Sequence, residues 1–137
     1  MSSLGSAIFA HLETGNSIDV YPRQLPNKVL TGDTDVAVTY NIMAGEGPIP
    51  TNDVSSVSDT RTERVRVQFS VWSRDYLTLE TTARLVVRLL DRVSQATWGT
   101  VLIQASRVVG WLDEPLEPDT SIFQRIIDAE IMYNEVP

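Results

Sequence analysis

A chain of 137 residues, 42% hydrophobic and 21% charged, has the size and composition of one ordinary globular domain that buries a core without staples. A net charge of −7 speaks against nucleic acid as a tightly held ligand, because phosphate neutralisation drives that binding. The absence of cysteine removes disulfides, thiolate zinc sites and cysteine nucleophiles.

No apolar run is long enough for a transmembrane helix. The opening MSSLGSAIFAHLETG lacks the basic region and continuous apolar core of a secretory signal. With the missing cysteines, this points to folding in a reducing cytoplasm. The charge is unevenly spread. Seven arginines fall between Arg61 and Arg92, whereas Asp113 to Glu135 holds seven acids and one base, Arg125.

Leu4, Ala7, Ile8 and Leu12 stand at helical spacing, with Ser3 as cap and Gly15 as stop, so residues 4–14 are expected to form a short helix. His11, the single histidine, has no partner in the sequence for catalysis or metal binding. Residues 18–35, with two prolines and several turn formers, read as mostly extended connection, in which Ile18, Val20 and Tyr21 either form a brief strand or pack under the sheet. VAVTYNIM, residues 36–43, alternates as a strand. Residues 44–60 are rich in Gly, Pro, Ser, Asn and Asp and form a long loop, expected to be flexible and either a plain connection or an interaction loop.

The stretch Thr60–Gln95 organises the chain. Val65, Val67, Phe69 and Val71 alternate with Arg64, Arg66, Gln68 and Ser70, the pattern of a strand with one buried and one wet face. Trp72 has the parity of Arg64 and Arg66. After Ser73 or Asp75, either a suitable cap, the period changes. Tyr76, Leu79, Ala83, Val86, Val87, Leu90 and Val93 define an amphipathic helix of about five turns. Residues 96–99 read as a turn and 100–112 as a strand with a bulge or end at Gly110. Residues 112–119, with two prolines and four acids, suit neither a helix interior nor a central strand. FQRIIDAEIMY, residues 123–133, alternates once more. The expected fold is α+β: a single domain with a mainly antiparallel four-stranded sheet, and one long helix with the short N-terminal helix on one face.

Chemistry is hard to find in this chain. Asp128 and Glu130 share a strand face, but no apolar pocket that would raise a pKa is legible around them. Gly45-Glu46-Gly47-Pro48 lacks the Lys-Ser/Thr of a phosphate loop, and no nucleophile elbow, zinc helix or calcium loop is present. The reading is therefore of a non-enzymatic protein with no catalytic, cofactor or metal residues. Trp72, Trp98 and Trp111 serve either core or rim packing, or burial against another subunit, where aromatics and arginines are enriched.

The order of these features resembles the tail completion, or tail terminator, proteins of long-tailed phages and of phage-derived particles such as gene transfer agents. The resemblance spans nearly the whole chain. It rests on the short first helix, the extended VYPRQLPNKV, the strand VAVTYNIM, the block RVRVQFSVWSRDYLTLETTARLVVRLLDRV and the closing strand FQRIIDAEIMY. The loop at Glu46–Thr60 and the stretch Pro115–Pro118 match no family feature. The resemblance implies a structural virion protein of the tail–neck region, present in the host cytoplasm before assembly. It would form a hexameric ring that caps the head-proximal end of the tail tube and offers a surface to the head–tail connector. Its partners would then be copies of itself, the tail tube protein and the connector or adaptor, with no membrane involved.

In such a ring Arg64, Arg66 and Trp72 are the expected subunit interface. Asp128 and Glu130 are the expected channel-facing acids, letting DNA pass without tight binding. The alternatives are another neck or head–tail joining component, or a small ligand-binding or enzymatic α+β domain of the same topology.

Overall fold

The computed structural model describes residues 4–14, 18–22, 35–43, 61–114 and 122–135, with backbone alone at 61, 62 and 135. The elements run α1 (Leu4–Glu13), β1 (Asp19–Pro22), β2 (Val36–Ile42), β3 (Arg61–Ser73), α2 (Tyr76–Leu90), β4 (Val93–Trp98), β5 (Val101–Glu114) and β6 (Phe123–Glu135). The strands form one sheet in the order β1-β2-β3-β6-β5-β4.

This corrects the expected four-stranded sheet. Six strands are present, and the sheet is mixed because β1 lies parallel to β2 while the other pairs are antiparallel. The fold remains α+β. The two added strands are the edges. β1 has four residues, too few for alternation to mark it firmly. In β4, SQAT lies between Val93 and Trp98, so no apolar row appears.

The alternation in β3 is realised as read. Val65, Val67, Phe69 and Val71 are buried and pair across to Ile131, Ala129, Ile127 and Arg125 of β6. Against this surface α2 lays Leu79, Ala83, Val86 and Leu90, all buried, at the spacing that puts them on one helix face. Asp75 starts the helix. Its side chain accepts from the Thr78 N–H at 3.1 Å and from the Thr78 hydroxyl at 2.6 Å, satisfying one of the first-turn donors.

The helix ends earlier than its apolar spacing suggests, after 15 residues. Arg92 takes a left-handed φ of 57°, which turns the chain into β4 and moves Val93 from the helix row to the sheet. Gln95, at φ 52°, gives β4 a second irregularity. Asp91 fastens the junction from the side, its carboxylate accepting the Val108 N–H at 3.0 Å. The turn expected at 96–99 is thus strand up to Trp98, and Gly99, at φ 61°, makes the reversal into β5.

The short helix α1 closes the other end of the core through Leu4, Ala7, Ile8 and Leu12. His11 stacks on buried Trp98, ring centroids 4.2 Å apart and 8° from parallel, and its Nε2–H donates to the Leu89 carbonyl at 2.7 Å. Its role is packing between α1, α2 and the β4–β5 hairpin. The long loop expected at 44–60 lies outside the described residues.

Phe69 sits fully buried at the centre of this layer. Phe69→Ala should destabilise the fold by about 3–5 kcal/mol, from lost transfer energy and the cavity left behind. Arg66→Ala, on the exposed side of the same strand, should stay within about 0.5 kcal/mol. Denaturant unfolding of the two variants measures both.

Candidate functional site

Helices cover one face of the sheet, and the strand parities place all five sequence-predicted site residues on the other. Arg66 lies directly opposite Glu130, Gln68 opposite Asp128, and Trp72 opposite Gln124. Arg64, Arg66, Trp72, Asp128 and Glu130 thus share one surface rather than dividing between two.

On it, Glu130 stands between two guanidinium groups, Arg64 Nε at 3.8 Å and Arg107 Nη2 at 3.5 Å. These are partly exposed pairs and contribute little to stability, but they offset the local charge of Glu130. Trp72 is half-buried, and its indole N–H donates to Thr39 Oγ1 at 3.0 Å, which ties it to β2. Arg66 is exposed.

A second cluster, which the sequence reading did not single out, sits on the helix side where β5, β6 and the start of α2 meet. Arg125 belongs to the inward row of β6 with Ile127, Ala129 and Ile131, and it is only 6% exposed. An arginine cannot shed its charge there, so burial demands a partner. Asp113, its register partner on β5, supplies one. Arg125 Nε donates to Asp113 Oδ1 at 2.6 Å and Nη2 to Oδ2 at 3.2 Å, a two-pronged pairing.

Tyr76, the first residue of α2, joins both. Its oxygen accepts from Arg125 Nη2 at 3.1 Å, and its hydroxyl donates to Asp113 Oδ2 at 3.0 Å. Trp111 lies over the guanidinium, 4.4 Å from ring centroid to Cζ. The hydrogen bond from Arg125 holds the Asp113 carboxyl below the usual range, reinforced by Tyr76 and the nearby positive charge and opposed by burial. The bond from Asp113 in turn raises Arg125 further.

The signal for this cluster was present in the sequence. Arg125 falls in the apolar parity of its strand, a charged residue where the alternation calls for a buried one. What hid its partner was the acidic, proline-containing run after Leu112, which reads as loop. In fact β5 continues to Glu114, with Asp113 opposite Arg125 and Glu114 opposite Gln124.

Beside the cluster a cleft of ≈ 260 Å³ opens between α2 and β5, lined by Glu80, Ala83, Arg84, Val87, Trp111 and Arg125. It is smaller than the ~300–1,000 Å³ common for small-molecule sites. Its charges are largely matched, Glu80 with Arg84 at 3.2 Å and Asp113 with Arg125. Among the described residues no group of three or more His, Cys, Asp or Glu could hold a metal ion, and no helix is long and apolar enough to cross a membrane.

No family model matches the sequence, and no curated protein matches it. Among solved structures the chain is similar to a chain of the "Virion of native gene transfer agent (GTA) particle", with a TM-score of 0.60 and 10% identity, over 97% of this chain and 96% of that one. At that identity the likeness shows a shared fold. The likeness runs over nearly the whole of both chains.

The depressed Asp113 carboxyl gives a signed expectation. Its contribution is complete above the ordinary carboxylate range and is lost as pH falls through the lowered folded value. Asp113→Asn should cost about 1–3 kcal/mol at neutral pH, short of a fully buried pair because the Asp113 side chain is 34% exposed. The gap from the unmodified protein should narrow as pH falls below the ordinary carboxylate range and through the lowered folded value. Unfolding midpoints measured across the acid range test this, and a gap that persists at low pH contradicts it.

Proposed function

We propose that this chain is a structural virion protein of the tail terminator type, a ring-forming cap on the head-proximal end of a tail tube. The observation that carries the reading is the end-to-end fold likeness to a chain of a gene transfer agent virion, together with the tail terminator pattern in the sequence. In this reading six copies close a ring by head-to-tail contacts, which a rotation must complete without a free end. The ring stops tube growth and presents a surface to the connector or adaptor, while DNA passes without being held. No catalytic step is involved.

The open sheet face is the wall that such a ring would use. Its β3 side, with Arg64, Arg66 and Trp72, faces the neighbouring copy, and Asp128 and Glu130 of β6 face the channel. Because Arg64 and Arg107 flank Glu130, this wall is of mixed charge rather than uniformly acidic. Mixed charge offers phosphates no unbroken basic track, so it too is compatible with DNA transit.

Added to growing tail tubes, the protein should bind one end and halt elongation, giving tubes of defined length by electron microscopy. Tubes that elongate unchanged in its presence rule the reading out. Arg66→Glu is the clean probe of the β3 side, since Arg66 is exposed. Arg64→Glu also confronts Glu130 with a like charge. Ring formation should drop roughly tenfold or more in Arg66→Glu if this side is intersubunit, by sizing or native mass spectrometry, with the unfolding midpoint unchanged.

A further inference from the structure

The strand register builds a row of charge on the sheet face opposite the helices. In the sheet β3, β6 and β5 are neighbours, and Glu130 of β6 has Arg66 of β3 and Arg107 of β5 as its two Cα partners. Arg64, two residues from Arg66 and so on the same face, also reaches it. Arg64 Nε and Arg107 Nη2 converge on one oxygen, Glu130 Oε1, at 3.8 and 3.5 Å. Three guanidiniums on two strands thus surround one carboxylate on the strand between them.

These are not tight pairs. A charge-assisted hydrogen bond between guanidinium and carboxylate runs at about 2.7–2.9 Å, and both contacts are longer. Arg66 is exposed and makes no hydrogen bond or ion pair among the described residues. The Arg107 side chain is 67% exposed and that of Glu130 only 19%, so the carboxylate is set deeper than the cation it neutralises.

Asp128 shows what is particular about this position. It lies two residues along β6 on the same face, but its Cα partners are Gln68 and Gly110, both uncharged. Of the two acids on this face, Glu130 alone has an arginine beside it on each neighbouring strand.

The guanidinium fork that fits a carboxylate also fits a phosphate, so the two anions compete for the same donors. Without Glu130, Arg64, Arg66 and Arg107 would form a compact basic site able to hold a phosphodiester backbone. With it, an incoming phosphate meets a fixed negative charge at the centre of the row.

We propose that Glu130 is a charge mask, whose function is to keep this arginine row from holding the phosphodiester backbone of DNA. The inference deepens the tail terminator reading, and rests on it for DNA as the molecule that passes this face. The mask itself follows from the register and the two contacts. It assigns to one carboxylate the weak adhesion that DNA transit requires.

Fluorescence anisotropy of a short labelled DNA duplex, titrated with the full chain at low and then rising salt, tests the mask. Glu130→Gln should raise affinity by roughly tenfold or more and steepen the salt dependence by about two phosphate contacts. Asp128→Asn removes the same unit of charge away from the arginines and should change affinity less than about threefold. Adding Arg66→Ala and Arg107→Ala to Glu130→Gln should return binding to that of the unmodified protein. Glu130→Ala is measured alongside, and binding is read on whichever variant keeps the parent unfolding midpoint.

No gain on loss of the Glu130 carboxylate overturns the proposal. An equal gain in Asp128→Asn also overturns it, since net charge would then be the cause. So does a gain that survives removal of the two arginines. Because the duplex is added to the chain alone, the outcome is separable from tube capping. Capping with no gain leaves the terminator reading standing without the mask, and a gain with no capping leaves the mask standing without that reading.

Discussion

Every residue of β3 from Arg61 to Ser73 has a partner in β6, and this pairing of the two central strands is the constraint from which the rest follows. It fixes two parities at once. Val65, Val67 and Phe69 are brought beside Ile131, Ala129 and Ile127 on the face that α2 covers, and Arg66 and Gln68 beside Glu130 and Asp128 on the face that it leaves open. A slip of one residue would exchange the two faces of a strand, so the apolar row itself holds the register.

The same pairing explains why a guanidinium lies in the core layer. Continuing the inward row of β6 toward its start places Arg125 opposite Val71, under the first turn of α2. Burial there is tolerable because β5 delivers Asp113 and the helix delivers Tyr76 to the same point, so a charge, its counter-charge and a hydroxyl meet between three elements. A buried pair of this kind is weak as a source of stability and stronger as a constraint on geometry. In this protein it ties the start of α2 to the far end of β5, and so sets the walls of the cleft between them. The cleft is therefore better understood as a rigid seam at a sheet edge than as a chamber for a reacting molecule.

For function, the arrangement gathers everything unusual at surfaces. Charged residues of both signs share the sheet face that the helices leave, and the large exposed apolar side chains Trp111, Leu112 and Val109 share the end of β5 beyond its pairing with β4. Exposed apolar surface next to unpaired strand edge is what an assembly subunit needs and what a free-standing protein avoids.

Much of this was legible in the residues alone. Period-two alternation in 65–71 and 123–133 and the helical spacing from Leu79 to Leu90 record which side of each element meets the core, because burial selects side chains one by one. For the same reason the inward parity of Arg125 was readable. The edge strands, the early end of α2 and the union of Arg125 with Asp113 were decided only in three dimensions. β1 and β4 gain their conformation from main-chain pairing with β2 and β5, which leaves little imprint on side-chain pattern. The left-handed turn at Arg92 is held by the surrounding fold rather than by a glycine. And the acids at the end of β5 become strand because β6 lies beside them, a neighbour that no local sequence rule can see.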